Sequence, residues 1–263
     1  MADDLVLVKQ TGAVRTLMLN RPHALNSFTK ELHLALLEAL EAAAQDTGVC
    51  CVVLTGAGRG FCAGQDLAEV TPAPGAAPVD LGPVVAGRYM PLMLRIRSMP
   101  VPVLAAVNGV AAGAGANLAL GCDLVVAARS ASFIQAFTKI GLLPDSGGTW
   151  LLPRLLGRAQ ALGLALLGDK LPAQEAKDIG LIWQCVDDDA LETAAQALAQ
   201  RLAAMPTQAL VATRQALDAA QHLDMAAALE MEARQQQTLG FAHDYREGVQ
   251  AFFDKRTPVF TDR

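Results

Sequence analysis

The stretch that decides the fold runs from residue 101 to residue 120 and reads VPVLAAVNGVAAGAGANLAL. Its first seven residues are apolar, which is typical of a strand covered on both faces. The glycines and alanines that follow allow a strand to turn sharply into a helix from about Ala112. This order of elements favours a buried α/β core. It does not favour a membrane span, because Asn108, Asn117 and Asp123 interrupt the apolar run.

The same kind of strand recurs through the first two-thirds of the chain. Val49–Thr55 and Leu124–Ala128 are short apolar runs that predict two more buried strands. Leu5–Lys9 and Val14–Asn20 predict a hairpin at the start of the chain. Strands that alternate with glycine-rich loops and helices predict an α/β fold with a largely parallel core.

Helical signals separate these strands and dominate the end of the chain. A cap at Ser27 or Thr29 precedes apolar residues at helical spacing, namely Leu32, Leu36, Leu40 and Ala43. Helices are also predicted at Met90–Arg97, at Thr149–Leu156 and from Ala190 onward. The proline-rich segment 71–83 predicts a mobile lid loop. We expect a core of residues 1–195 and a helical region of residues 196–263.

Composition narrows the class of protein. Of the 263 residues, 52% are hydrophobic and 18% are charged, too apolar a mixture for a disordered chain. The formal net charge of −5, with no basic run, argues against nucleic-acid binding and against anionic membranes. The five cysteines form no CxxC pair, and the acidic start Met1-Ala2-Asp3-Asp4 lacks the pattern of a signal peptide. We expect a cytoplasmic protein with reduced thiols.

Two glycine-rich bends follow predicted strands. Residues 59–67 read RGFCAGQDL, and residues 108–117 read NGVAAGAGAN. Small residues let the backbone approach a ligand, and the first N–H groups of a helix have no partner within the helix. Two such bends that face each other would offer two convergent N–H donors. The same small residues could equally serve only to pack a helix closely on a sheet.

One aspartate stands in an unusually apolar stretch. Asp145 follows Ile140, Leu142 and Leu143 and precedes two glycines, with no cationic residue within five positions. Burial in such a setting raises the pKa of a carboxyl group towards values useful to a general base. The alternative is that Asp145 caps the helix that follows. The four histidines are scattered without carboxylates or cysteines at ligand spacing, so no metal site is expected.

Four segments together resemble the crotonase, or enoyl-CoA hydratase/isomerase, superfamily. They are NRPHALN at 20–26, FCAGQDL at 61–67, AAVNGVA at 105–111 with the glycines of 113–115, and PDSGGT at 144–149. Their order and spacing fit from about residue 5 to residue 260. The resemblance implies a spiral of ββα units with a C-terminal helical region that mediates trimerisation, often as a dimer of trimers.

The resemblance also implies a site for an acyl-CoA thioester, with no cofactor beyond the coenzyme A of the substrate. The backbone N–H groups of Gln65 and Ala114 would hold the thioester oxygen, and Asp145 would be the catalytic acid or base. Alanine at 114 departs from the glycine common in the family, but only its N–H is used. The turns that wrap coenzyme A would contain Ala24, Ala63, Asp66 and Leu67.

The type of reaction depends on two further positions. Hydratases of the superfamily carry glutamates where this chain has Asn117 and Phe137, so hydration is disfavoured. Phe137 would keep water from the acid, and Asn117 would either hold a polar group of the substrate or only cap structure. Residues 139–154 are most similar to members that convert ring-1,2-epoxyphenylacetyl-CoA to oxepin-CoA. The alternatives are a cis-3/trans-2-enoyl-CoA isomerase, an enoyl-CoA hydratase and a non-catalytic acyl-CoA binding protein.

Overall fold

The computed structural model describes residues 4–72 and 75–263. The first three residues of the acidic start, and residues 73–74 of the expected lid loop, lie outside the described residues. No helix in the described ranges is long and apolar enough to cross a membrane.

Six strands form the larger sheet, in the order β1-β2-β3-β5-β7-β10. Their bounds are Val6–Thr11 (β1), Val14–Leu19 (β2), Cys51–Gly56 (β3), Val103–Val107 (β5), Leu124–Ala128 (β7) and Gln184–Val186 (β10). β1 pairs with β2 in the antiparallel sense, and all other neighbours are parallel. The predicted hairpin and the parallel core are both confirmed.

Four short strands form a second sheet, in the order β4-β6-β8-β9. Their bounds are Gly60–Cys62 (β4), Val110–Ala112 (β6), Ser132–Ile134 (β8) and Lys170–Pro172 (β9). The chain passes from the first sheet to the second three times, from β3 to β4, from β5 to β6 and from β7 to β8. A helix follows each pair, so the structure confirms the expected spiral of ββα units. β4 lies in the segment 59–67, for which the sequence predicted a glycine-rich bend and no strand.

The described ranges contain ten α-helical elements and a π-helical turn at Val85–Tyr89. The helices are Lys30–Gln45 (α1), Gly82–Val84 (α2), Met90–Arg97 (α3), Ala114–Leu120 (α4), Gly148–Leu167 (α5), Ala173–Asp178 (α6), Leu191–Ala203 (α7), Thr207–Ala220 (α8), Met225–Gly240 (α9) and His243–Asp254 (α10). Of the two predicted caps, Thr29 is used, because its hydroxyl accepts a hydrogen bond from the Leu32 N–H. α5 extends beyond the predicted end at Leu156, since the helix resumes after a kink at Gly157.

The core lies between the large sheet and the helices that cover it. α1 packs on β1, β2 and α3, while α7 packs on the strands β2, β3, β5 and β7. An ion pair attaches α8 to the residue before β7, because the Arg214 guanidinium lies 2.9 Å from the carboxylate of Asp123. The same carboxylate accepts a hydrogen bond from the Val103 N–H. The expected boundary after residue 195 falls within α7, and the division into two regions stays a prediction.

Candidate active site

The two glycine-rich bends leave the second sheet side by side. β4 and β6 are neighbouring parallel strands, so their carboxyl ends meet at one edge. Gly64 has a positive φ of 90°, and a Cβ at this position would lie 2.8 Å from the carbonyl oxygen of Ala112 and 3.4 Å from the nitrogen of Ala114. The bends therefore touch, and a side chain at position 64 would push them apart.

Each bend has one backbone N–H group of interest, that of Gln65 and that of Ala114, which donates no hydrogen bond to the described residues. The Gly113 N–H donates to the Ile134 carbonyl at 2.8 Å, as the pairing of β6 with β8 requires. The next amide, that of Ala114, starts α4 and lies ahead of the first bond within the helix. Within the part of the chain that the structure describes, neither Ala114 nor Gln65 donates a backbone hydrogen bond. Both are available for a carbonyl oxygen.

These residues line one cavity of about 210 Å³. Its walls come from both bends, from the helical segment around Val85, from the 3₁₀ turn Ala136–Ile140 and from Asp145. Most of the lining is apolar. Among the described residues that line it, only Gln65, Tyr89 and Asp145 carry polar side chains.

Asp145 is the acid of this cavity. Burial raises the pKa of its carboxyl group, as the apolar sequence around it suggested, while a hydrogen bond of 2.9 Å from the Ser146 hydroxyl acts in the opposite direction. The carboxylate is not a helix cap. The Gly148 N–H bonds the backbone oxygen of Asp145, and the start of α5 has no side-chain cap. The carboxylate is thus free to face the cavity.

Asn117 lies behind this acid and does not line the cavity. Its side chain is fully buried and donates to the backbone oxygen of Asp145 at 2.8 Å. Gln135 in turn donates to the Asn117 side-chain oxygen at 2.9 Å. Of the two roles that the sequence left open for Asn117, these contacts favour the structural one, because both ends of the amide are engaged by protein.

The other predicted residues divide into two groups. Ala63 and Leu67 line the cavity, as does the buried Phe137, whose ring packs against Gly113. Ala24 and Asp66 are not among the residues that line it. The Asp66 carboxylate lies 3.0 Å from the Arg21 guanidinium, which lowers the pKa of that carboxyl group, and it caps the turn Leu67–Glu69 through the Ala68 N–H. Ala24 belongs to the adjoining turn Pro22–Ala24.

Tyr89 also belongs to the site and was not predicted; its hydroxyl donates to the Gln65 side-chain oxygen at 2.9 Å. Its ring meets His33 edge to face, and His33 stacks on Phe28, each with ring centroids 4.3 Å apart. Burial lowers the pKa of His33 to about 4, so the imidazole is neutral. The three aromatic residues lie far apart in the sequence, and no spacing pattern connects them. Gln135 has no sequence signal for the same reason, since it lies 18 positions from Asn117. Ser146 directly follows Asp145, but the sequence alone does not show that its hydroxyl bonds the carboxylate.

Three potential metal ligands meet at the end of the chain. One ligand atom each of His243, Asp244 and Asp262 lie within 4.8 Å of one another, although the sequence predicted no metal site. The Asp244 carboxylate accepts the backbone N–H groups of Thr261 and Asp262. These bonds hold residues 261–262 against α10, and none of the three residues lines the cavity.

Several known proteins are similar to this chain over nearly its whole length. A family model described as enoyl-CoA hydratase/isomerase matches residues 9–263. The chain is 51% identical over 260 residues to the 1,2-epoxyphenylacetyl-CoA isomerase of Escherichia coli K12, covering 99% of both chains. It is 49% identical over 246 residues, 93% of both chains, to a probable enoyl-CoA hydratase of Rhodobacter capsulatus. The crystal structure of an enoyl-CoA hydratase from Bacillus anthracis matches 98% of this chain and 100% of its own, with 33% identity and a TM-score of 0.90.

Proposed function

The chain belongs to the enoyl-CoA hydratase/isomerase family, and from that membership we propose that it is an acyl-CoA isomerase that converts ring-1,2-epoxyphenylacetyl-CoA to oxepin-CoA in phenylacetate degradation. The substrate choice rests on the 51% identity to the Escherichia coli enzyme of that name. The substrate brings its own coenzyme A, and the reaction uses no further cofactor.

The observation that favours isomerisation over hydration is that the cavity contains a single carboxyl group among its described lining residues. Among the described residues that line it, only Asp145 has a carboxyl side chain. Adding water to a double bond calls for two proton transfers, whereas moving a proton between two carbons needs one group that takes the proton and returns it. The amide of Asn117 and the ring of Phe137 can neither take up nor return a proton. We therefore favour an isomerase, although several similar proteins are named as hydratases.

The proposed reaction begins with the thioester oxygen between the N–H groups of Gln65 and Ala114. Asp145 takes a proton from the carbon between the ring and the carbonyl, and the electron pair moves onto that oxygen. Each N–H donor can stabilise this transition state by about 2.7–4 kcal/mol. The carbon–carbon bond that the ring shares with the epoxide opens, which gives a seven-membered ring containing the oxygen. Asp145 then returns the proton to a ring carbon, so no atom is gained or lost.

The proposed assembly is a homotrimer or a dimer of trimers. Several large apolar side chains of the C-terminal helical region are exposed in the single chain, namely Met225, Phe241, Phe252 and Phe253. Exposed apolar groups of this size are typical of protein–protein interfaces. Light scattering on the purified protein measures the number of chains in the assembly.

We also propose that the enzyme acts in the cytoplasm, which the five free cysteines support.

A cis-3/trans-2-enoyl-CoA isomerase is the second candidate. The largely apolar walls of the cavity suit an aliphatic chain, and the same carboxylate could move a proton between its carbons. Turnover of epoxyphenylacetyl-CoA measured beside turnover of cis-3-enoyl-CoA separates the two. Conversion of the aliphatic substrate alone would reject the first proposal.

Replacing the acid tests the chemistry itself. We expect Asp145→Asn to lower isomerisation by about 10²–10⁴-fold, while phenylacetyl-CoA, which cannot react, binds as before. Asp187→Asn is the matched control, because this exposed aspartate pairs with Arg129 outside the cavity. Loss of both turnover and binding in Asp145→Asn would indicate a structural role. Binding without turnover in the unmodified protein would instead indicate a non-catalytic acyl-CoA binding protein.

A further inference from the structure

An epoxide on an aromatic ring has a second reaction open to it. If an O–H group gives its proton to the epoxide oxygen, a carbon–oxygen bond breaks and its electron pair goes to that oxygen. Loss of a proton from the ring carbon that carries the oxygen then restores the aromatic ring and gives a 2-hydroxyphenyl thioester. This product is an isomer of oxepin-CoA. Any hydroxyl group that lines the cavity therefore affects which product forms.

Tyr89 carries the only hydroxyl among the described residues that line the cavity. The Gln65 side chain fixes where the hydrogen of that hydroxyl points. The Gln65 Nε2 atom lies 3.1 Å from the carbonyl oxygens of both Phe28 and Asp66. Carbonyl oxygens only accept hydrogen bonds, so the NH₂ end of the amide must face them. The Oε1 atom then faces the Tyr89 hydroxyl at 2.9 Å, and the phenol has to be the donor.

The ring of Tyr89 is held where this bond can form. The residue is buried, and its ring packs against both Phe28 and His33. Neither nitrogen of His33 has a hydrogen-bond partner among the residues that the structure describes, so this ring holds Tyr89 by packing. Within the described ranges, Gln65 is the one hydrogen-bond partner of the phenol.

From this geometry we infer that the Gln65 side chain keeps the Tyr89 proton away from the substrate and thereby prevents opening of the epoxide to the phenol product. The inference rests on the proposed function. With its hydrogen committed to Gln65, the Tyr89 oxygen presents only lone pairs to the cavity. Gln65 would then act twice: its backbone N–H holds the thioester oxygen, and its side chain selects the product.

The test is the substitution Gln65→Met, which keeps the backbone N–H and a side chain of similar length but removes the acceptor for Tyr89. The purified variant is given epoxyphenylacetyl-CoA, and the two isomeric products are separated by chromatography. We expect the share of the 2-hydroxyphenyl product to rise by about tenfold or more. A well-placed general acid accelerates a reaction by roughly 100-fold or more, so this rise requires only part of that acceleration from the Tyr89 hydroxyl. In Gln65→Met/Tyr89→Phe that share should return to the level of the unmodified enzyme.

Different outcomes overturn different claims. An unchanged product ratio in Gln65→Met, with the unmodified enzyme active on the epoxide, overturns this inference and leaves the proposed function standing. Equal amounts of the phenol product in Gln65→Met and in the double variant also overturn it, because Tyr89 would not be the donor. Failure of the unmodified enzyme to convert the epoxide overturns the proposed function and this inference with it.

Discussion

The side chain of Asn117 holds the backbone of Asp145, with 2.8 Å between the amide nitrogen and the carbonyl oxygen. This contact joins α4, which starts with one of the two free N–H groups, to the loop that carries the acid. One buried amide therefore helps to set the position of Asp145 relative to the N–H group of Ala114.

We expect Asn117→Ala to lower kcat by about 10–100-fold, because a small displacement of a catalytic group costs that much. The KM should change little, since Asn117 does not line the cavity. The variant should also lose about 1–3 kcal/mol of unfolding free energy, because Gln135 is left without its acceptor. Steady-state kinetics and denaturant unfolding measure these changes. A raised KM at an unchanged kcat would mean that Asn117 contacts the substrate instead.

Ser146→Ala should shift the pH profile of the enzyme. The hydroxyl of Ser146 stabilises the charged form of Asp145 and so lowers the pKa of that carboxyl group, against the effect of burial. Without the hydroxyl the pKa rises further, and a base that must be ionised becomes active only at higher pH. The acidic limb of kcat/KM should therefore move to higher pH. A limb that stays in place, or moves down, would show that another group sets it.

Gly64→Ala should damage the two bends. The residue has a positive φ of 90°, and a Cβ would lie 2.8 Å from the Ala112 carbonyl oxygen, so the bend must shift and carry the Gln65 N–H with it. We expect kcat to fall by about 10²–10³-fold, the cost of one lost N–H donor. Gly12→Ala is the matched control, because its φ is also positive, at 59°, with nothing within 4 Å of the new carbon. The control should lose about 1–2 kcal/mol of stability and keep its kcat.

His33 should make the protein less stable as the pH falls. The pKa of His33 is about 4 in the folded protein against an ordinary value of 6.5, so between these values the unfolded chain binds a proton that the folded chain does not. The free energy of unfolding should fall as the pH drops through this range, by about 3 kcal/mol in all. His33→Phe should remove this component in denaturant unfolding measured at several pH values. An equal slope in the variant would assign the acid sensitivity to other groups.

The strands β3, β5 and β7 of the large sheet were predictable because each is a continuous apolar run, whereas the three-residue strand β10 was not predicted. A cap of α1 at Ser27 or Thr29 was predictable because a hydroxyl side chain precedes a regular helical pattern. β4 was not predictable, since three residues are too few to show an alternation. The sequence suggested an end to α5 at Leu156, where Gly157 follows. The helix nevertheless resumes beyond that glycine, which takes a φ of 72°.

In the site, the motif positions of Gln65, Ala114 and Asp145 could be placed from the resemblance, and the structure brings them to one cavity. The hydrogen bond from Tyr89 to Gln65 could not be predicted from the sequence, because it depends on a π-helical turn that brings a distant aromatic residue to the bend. The role of Asn117 was undecidable for a similar reason. Its partners, Gln135 and Asp145, are 18 and 28 positions away along the chain, and only the folded structure brings them together.

The chain passes between the two sheets three times, and each passage contributes a different residue to the cavity. The first coil, β3–β4, ends in the Gln65 amide, the second, β5–β6, ends in the Ala114 amide, and the third, β7–β8, leads to Asp145. In the proposed reaction, the first two coils supply the N–H groups that hold the thioester oxygen, and the third supplies the carboxylate that moves the proton. Replacing the segment that carries Asp145 by one with a different catalytic residue should therefore change the reaction and leave the binding of the acyl group as it is.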